Sequence, residues 1–377
     1  MIKKVCLIQP VQSPYWTQRL KVLAQHKDLE IFLLLERDSF SHRLGWNPEP
    51  IDGVKTVVLG SRVRAVSTKH DDLDYHIDGV RTVPFFLSMV LLELKPDVVV
   101  ACNATQVLFA LPARLRLGFH LSLIVEDTPH ATRNLPWHKM LVKKGLYRRA
   151  DSWLPFSDDA VSFLKKIGIE RSIYRSCWSI DADRFRPCDT WKTSSAKLTV
   201  SAVAALTELK GIIPLLREWS SIPQEVRSQF RLRIAGTGPL ELDIKTYLVV
   251  NNIDDVELLG QIPYEEIVAL FQSSSLFVLP TLQDLCSLTI LEAMACGCPV
   301  ITTPYNGARD LVEDGVNGWI ADPARPGDLA YWLTEAMSDP DRLRFMGGKA
   351  RQSVLGRDNK QVMRQFAEQL LEMSGVR

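Results

Sequence analysis

The chain lacks a long hydrophobic run and a repeated cysteine pattern. Its longest apolar stretch, from Val83 to Leu92, is about half as long as a membrane-spanning helix must be. Its seven cysteines are scattered and include no C-x-x-C pair, which argues against the common zinc sites and disulfide frameworks. The first residues do not begin a secretory signal. We therefore expect a cytoplasmic protein that does not span a membrane.

Several binding motifs are also absent. The turn from Gly236 to Pro239 reads G-T-G-P and lacks the third glycine of a dinucleotide fingerprint, which excludes a nicotinamide-dependent oxidoreductase of that type. Asp181 and Asp183 match a D-x-D metal motif, but they fall in a predicted domain junction and do not follow a nucleotide-binding strand. No His, Cys and Asp cluster has ligand spacing, so we expect neither a metal nor a cofactor. We find no nucleic-acid motif.

The chain does have an α/β pattern long enough for two domains. Its 377 residues are more than one domain with a single hydrophobic core typically contains. Its content of 46% hydrophobic and 24% charged residues is ordinary for a globular protein. Short apolar runs without alternation recur between helical segments, which is typical of parallel strands covered on both faces. We predict an α/β fold with two Rossmann-like, doubly wound parallel-sheet domains facing across a cleft. The predicted limits are 1–187, 188–356 and a C-terminal helical segment, 357–377.

The net charge of +1 hides an uneven distribution. Residues 1–185 carry 26 Lys and Arg against 20 Asp and Glu, whereas residues 186–377 carry 19 against 24. Between Arg133 and Arg149, six cations are interleaved with Trp137 and Leu141. Such a segment can lie on anionic lipid, although a solvated helix face is the commoner case. A peripheral contact with the cytoplasmic face of an anionic membrane is therefore one expectation.

The most informative stretch runs from Val278 to Asp310. An apolar strand ends at Pro280, a short loop carries Asp284, and an alanine-rich apolar helix follows with one carboxylate, Glu292. A charge on so apolar a helix costs free energy unless something satisfies it. A helix start that faces a loop is suited to holding an anion. Glu292 is therefore either a ligand-binding acid or a buried acid paired within the fold.

The run EAMACGCPVI, which begins at Glu292, resembles the C-terminal signature of retaining nucleotide-sugar glycosyltransferases of the GT-B fold, family four (glycosyl transferases group 1). In that family two glutamates separated by seven residues mark this unit, and Asp284 and Glu292 occupy those positions here. The resemblance implies that Glu292 holds the ribose of a nucleotide-sugar donor and that Asp284 orients the sugar. It also implies a donor site that includes Gly236, Gly238, Cys286, Ser287, Leu288 and Thr289.

A cation for the donor's diphosphate is also implied. Lys210 precedes a glycine, as the family's phosphate-binding lysine does, and an ammonium suits phosphate. The family's nearby arginine is replaced by Ala205. Taken alone, Lys210 would be read as an exposed lysine at the start of a helix; beside the signature we favour the phosphate role.

The resemblance places the acceptor in the first domain and a C-terminal helix that crosses back onto it. The loop after the apolar run 121–125 carries Glu126, Asp127 and His130. Acids and a histidine at the carboxyl end of a strand suit acceptor binding or proton removal, so these three join Asp284 and Lys210 as catalytic candidates. A helix-capping Asp and a surface His are the alternatives.

The expected function is transfer of a sugar from a nucleotide diphosphate sugar to a glycan or lipid-linked saccharide, with retention of anomeric configuration and without a metal. Ala205, and Leu285-Cys286-Ser287 where the family has Gly-Phe-Gly, motivate a second hypothesis: a non-catalytic nucleotide-sugar-binding relative. A nucleotide-sugar epimerase on the same fold is the third.

Overall fold

The computed structural model describes residues 2–38, 49–70, 75–188, 197–285 and 287–375. They form two compact units: one runs up to Ser179 and resumes at Asn359, and the other covers Ile180–Asp358. The chain thus crosses between units twice, within the run SCWSIDADRFRP and just before the last helix. In the first unit the Ser179 hydroxyl donates to Asn359 Oδ1 at 2.7 Å, so the two crossings start side by side.

The first unit alternates strands and helices, as the apolar pattern predicts. Its elements are β1 (Lys3–Gln9), α1 (Pro14–Leu23), β2 (Leu29–Leu35), β3 (Val54–Val58), β4 (Arg62–His70), β5 (Tyr75–Val83), α2 (Leu87–Leu94), β6 (Val98–Ala101), α3 (Ala104–Leu117), β7 (His120–Val125), α4 (Trp137–Tyr147), β8 (Ser152–Pro155), α5 (Asp158–Lys166) and α13 (Asn359–Gly375).

Six of these strands form one parallel sheet with the order β3-β2-β1-β6-β7-β8. Val5, Leu33 and Val99 have no exposed surface, because helices cover apolar strands on both faces. Strand order reverses between β1 and β6, and in such sheets ligands bind outside the carboxyl ends of the strands at that point. Strands β4 and β5 pair separately as an antiparallel hairpin.

Helices α1 and α13 pack against each other, while α2 packs against α3 and α3 against α4. Helix α13 buries Phe366, Leu370 and Met373 and belongs to the first unit although it ends the chain. Local signals fix other boundaries: the Ser157 hydroxyl accepts the Ala160 N–H at 3.1 Å and caps α5.

The second unit repeats the design. Its elements are β9 (Leu198–Val203), α6 (Ile212–Ser221), α7 (Gln224–Arg227), β10 (Phe230–Ala235), α8 (Glu241–Val250), β11 (Val256–Gly260), α9 (Tyr264–Ser273), β12 (Leu276–Val278), α10 (Leu288–Ala295), β13 (Val300–Thr302), β14 (Gly318–Ile320), α11 (Asp328–Ser338) and α12 (Pro340–Val354).

Its six strands form a parallel sheet with the order β11-β10-β9-β12-β13-β14. The order reverses between β9 and β12, so the loops that follow these two strands meet at the edge where a ligand is expected. Each unit has a separate apolar core. The prediction of two doubly wound parallel-sheet units is confirmed.

None of the helices among the described residues is long and apolar enough to cross a bilayer.

Candidate functional site

The loops after β9 and β12 bring a cation and an acid together. Lys210 ends a 3-10 turn, Glu208–Lys210, in the first loop, and Asp284 lies in the second. The Lys210 Nζ atom is 2.5 Å from Asp284 Oδ2, and these side chains are 25% and 11% exposed. The two residues are 74 positions apart in sequence, yet the sheet places them at one edge. The structure therefore unites the predicted phosphate cation with the predicted sugar-orienting acid.

The residue after Lys210 must be a glycine for the backbones of the two loops to lie this close together. Gly211 has φ +67°, and a Cβ there would lie 2.0 Å from the Pro280 carbonyl oxygen, closer than any real contact. Backbone also joins the loops, because the Leu282 N–H donates to the Leu209 carbonyl at 2.8 Å. The Lys-Gly pair thus lets the cation-bearing loop rest on the acid-bearing loop.

Gly236 and Gly238 contact the backbone of the segment that leads to Lys210. A Cβ on Gly236 would lie 1.8 Å from the Ala204 carbonyl oxygen, and one on Gly238 would lie 2.5 Å from that of Leu206. The Leu206 N–H also donates to the Thr237 carbonyl at 3.0 Å. The close approach that these glycines permit is therefore to the loop that leads to Lys210, so they shape that loop from behind. Direct contact with a donor remains a prediction.

Glu292 lies on α10 and is only 6% exposed. The Tyr264 hydroxyl donates to its Oε1 at 2.8 Å, and the Arg184 guanidinium lies over the Tyr264 ring, 4.4 Å from its centre. Burial raises the pKa of Glu292 to about 7, against the opposing effects of the Tyr264 hydrogen bond and the Arg184 charge. Burial and the neighbouring Glu292 charge raise the pKa of Tyr264. Glu292 is therefore a buried acid that is paired within the fold, and its role as a ligand-binding acid stays a prediction.

The remaining predicted donor residues surround the start of α10. Ser287 precedes the helix and is buried, and its Oγ lies 2.9 Å from Thr289 Oγ1. Leu288 and Thr289 form the first turn, whose backbone N–H groups have no partner within the helix. Cys286 lies outside the described residues. The arrangement offers an anion the positive end of a helix dipole.

In the first unit, Glu126, Asp127 and His130 share the loop after β7, as predicted. The Lys143 ammonium lies 2.5 Å from Asp127 Oδ1, and the Tyr147 hydroxyl donates to Oδ2. Both partners come from α4, so Asp127 ties that helix to the loop. Burial and the adjacent Asp127 raise the pKa of Tyr147 well above its usual value. Whether the three loop residues meet an acceptor stays a prediction.

The structure contains one further buried acid that the sequence motifs do not indicate. Glu36 follows β2, has no exposed surface and accepts the Gln106 amide at 2.9 Å. Gln106 in turn accepts the Cys102 N–H at 2.7 Å. Burial raises the pKa of Glu36 to about 7, while the Gln106 hydrogen bond lowers it. The signal was a carboxylate that directly follows an apolar strand, at the edge where strand order reverses.

Two solved structures align with almost the whole chain. Sucrose-phosphate synthase from Thermosynechococcus elongatus gives a TM-score of 0.79 at 16% identity and covers 100% of both chains. HepE from Anabaena, in complex with UDP-glucose, gives 0.74 at 18% identity and covers 98% of this chain and 100% of that one. Identities this low show fold alone. Together with the two parallel sheets, they show that the chain has the GT-B fold.

Residues 190–353 match the family model described as Glycosyl transferases group 1, the family that the EAMACGCPVI run resembles. The putative colanic acid biosynthesis glycosyltransferase WcaL of Escherichia coli K12 is 32% identical over 236 residues, which are 60% of this chain and 58% of that protein. The chain thus spans a little over half the length of this relative.

The raised pKa of Glu292 predicts a pH dependence of stability. Its folded pKa of about 7 lies above the ordinary 4.5, so folding favours the neutral form. That contribution is fully present below the ordinary pKa and is lost as pH rises through 7. Between these limits we expect wild type to lose up to about 3 kcal/mol of unfolding free energy relative to Glu292→Gln, which cannot ionise. Urea unfolding at a series of pH values measures this, and parallel curves would contradict it.

Proposed function

We propose that the protein transfers a sugar from a nucleotide diphosphate sugar to a saccharide acceptor, with retention of anomeric configuration and without a metal. The observation that carries this proposal is the Lys210–Asp284 ion pair of 2.5 Å, formed where strand order reverses, beside the start of α10. Glu292 on the same helix supplies a buried acid. The family match of residues 190–353 and the UDP-glucose complex of HepE support a nucleotide-sugar donor.

Each group has a role in this proposal. The Glu292 carboxylate accepts hydrogen bonds from the two vicinal hydroxyls of the ribose. Lys210 leaves Asp284 and neutralises the diphosphate, with the first-turn amides of α10 as further donors. Asp284, released from Lys210, accepts hydrogen bonds from the donor sugar. The donor thereby replaces the internal ion pair: its anionic diphosphate takes the place of Asp284 beside Lys210, and its neutral hydroxyls take the place of Lys210 beside Asp284.

Retention follows from attack on the face from which the nucleotide leaves. The acceptor oxygen forms the new bond to the anomeric carbon while the bond from that carbon to the phosphate oxygen breaks. The electron pair of the breaking bond stays on the phosphate oxygen, which takes the acceptor's proton. Lys210 is placed to stabilise the charge that develops there. This scheme requires no protein nucleophile and no metal.

The acceptor is proposed to be a glycan or a lipid-linked saccharide that the first unit binds. The name of the WcaL relative assigns that protein to colanic acid biosynthesis, and the first half of this chain is basic. Glu126 and His130 are the proposed acceptor contacts. Asp127, whose two oxygens are engaged by Lys143 and Tyr147, is proposed to hold their loop in place.

Donor binding and nucleotide release test this function. Glu292→Gln should weaken nucleotide-sugar affinity about tenfold or more, because hydrogen bonds to a charged acceptor contribute about 1.5–3 kcal/mol. Lys210→Met should lower the rate of nucleoside diphosphate release more than it lowers donor affinity. Calorimetric titration and a release assay with and without acceptor extracts measure both effects.

Glu335→Gln, which changes a half-exposed acid on α11, is the matched control and should leave both quantities unchanged. Binding without turnover under every acceptor condition would favour the non-catalytic alternative. Donor turnover that needs no acceptor would favour the epimerase. Unchanged donor affinity in folded Glu292→Gln would remove the main support for the proposal.

We further propose that the first unit rests on an anionic membrane. Helices α2, α3 and α4 pack side by side and expose large apolar side chains, with Met89, Leu115 and Trp137 at 66%, 89% and 79%. Exposed Lys139, Arg148 and Arg149 lie on or next to α4. Apolar anchors combined with cations match the chemistry of an anionic lipid surface.

Vesicle sedimentation tests this contact. Trp137→Ser with Leu141→Ser should abolish binding to phosphatidylglycerol vesicles, and neutralising Lys139 should weaken binding about fivefold, since a cation near an anionic surface contributes about 1 kcal/mol. Leu242→Ser with Val249→Ser removes equally exposed apolar groups from the second unit and should have no effect. Equal loss in both double variants, or no binding by wild type, would contradict the proposal.

A further inference from the structure

Asn306 lies in the loop after β13 and is fully buried. Backbone hydrogen bonds on both sides of it join this loop to the acid: the Asp284 N–H donates to the Tyr305 carbonyl at 3.0 Å, and the Gly307 N–H donates to the Asp284 carbonyl at 2.9 Å. Asn306 therefore lies directly beside the residue proposed to orient the sugar, and backbone hydrogen bonds join the two loops.

The side-chain amide of Asn306 is only half used. Its Oδ1 accepts the Ala308 N–H at 2.9 Å and the Ser287 N–H at 3.5 Å, at the start of α10. Among the described residues, its buried Nδ2 has no hydrogen-bond partner. Gln283, next to Asp284, likewise buries an Oε1 without a partner in the described part of the chain. A buried amide N–H that stays unpaired lowers the stability of the fold.

The interior of the fold does not need this N–H. Oδ1 alone holds the two backbone donors, and a side chain of the same shape without the amide hydrogens would hold them equally well. Asn317, at the other end of the connection between β13 and β14, shows the difference: its Oδ1 accepts the Glu313 N–H at 2.8 Å, and its Nδ2 donates to the Leu311 carbonyl at 2.9 Å. Both polar atoms of the Asn317 side chain are hydrogen-bonded within the fold. The Nδ2 atom of Asn306, beside the start of α10, has no such partner among the described residues.

We infer that Asn306 is a donor-binding residue whose side-chain amide donates to a diphosphate oxygen of the nucleotide sugar. This inference rests on the proposed function. Nδ2 is bonded to the same carbon as the Oδ1 that meets Ser287, so it lies next to the first-turn amides of α10, where N–H donors converge on an anion. When the diphosphate draws Lys210 away from Asp284, the loops joined at Asp284 shift and the amide reaches the ligand. A phosphate oxygen, which only accepts hydrogen bonds, is a suitable partner for this amide N–H.

The test uses Asn306→Asp, which keeps the shape and Oδ1 but replaces the N–H donor with an anionic acceptor. We expect affinity for a nucleoside diphosphate and for its nucleotide sugar, measured on the folded variant, to fall by the same factor, at least tenfold; the buried carboxylate also lowers the melting temperature. Asn317→Asp is the matched control. It should lower the melting temperature, because it breaks two internal hydrogen bonds, and leave nucleotide affinity unchanged.

Unchanged affinity for both ligands in Asn306→Asp would overturn the inference. A loss confined to the nucleotide sugar would overturn the diphosphate assignment, since the amide would then serve the sugar. If Asn306→Asp does not fold, Asn306→Ala carries the same test with an expected loss of about fivefold. Wild type that binds no nucleotide sugar would instead refute the proposed function, which keeps the two failures distinguishable.

Discussion

The ion pair between Lys210 and Asp284 is the interaction on which the rest of the site depends. It exists because β9 and β12 are neighbours at the reversal of strand order, which brings the loops after them to one edge. Gly211 makes the contact possible by allowing backbone to lie against Pro280. The pair satisfies two charges that, in the proposed function, a donor separates. A nucleotide sugar, with its anionic diphosphate and neutral hydroxyls, matches that cation and that acid.

Glu292 provides the second constraint. A carboxylate inside an apolar helix is unfavourable by itself, and here Tyr264 and Arg184 lower the cost without removing it, so its pKa stays near 7. The acid accepts the Tyr264 hydroxyl, and burial still disfavours its charged form. The same principle applies to Asn306, which keeps an unused N–H in a well-ordered loop. Both residues carry a cost in stability that, in the proposed function, a bound nucleotide sugar offsets.

The sequence predicted the parts that depend on local pattern. The recurring apolar runs predicted two parallel-sheet units, and the Asp284–Glu292 spacing predicted the candidate site. Contacts made by folding were out of reach: Tyr264 meets Glu292 across 28 residues, and no local rule pairs them. Strand β14 has three residues, too few to show a period. The close approach of Gly236 to the Ala204 carbonyl was also out of reach, because the sequence cannot show which surface a glycine lies against.

The most direct test of the account is a double-mutant cycle on nucleoside diphosphate affinity with Lys210→Met, Asp284→Asn and their combination. If Lys210 must leave Asp284 to bind diphosphate, Asp284→Asn frees the ammonium and tightens binding, and this gain disappears when residue 210 is Met. Lys210→Met alone weakens binding. An Asp284→Asn effect that is the same in both backgrounds, or a loss of diphosphate affinity when Asp284 alone is changed, would contradict the account.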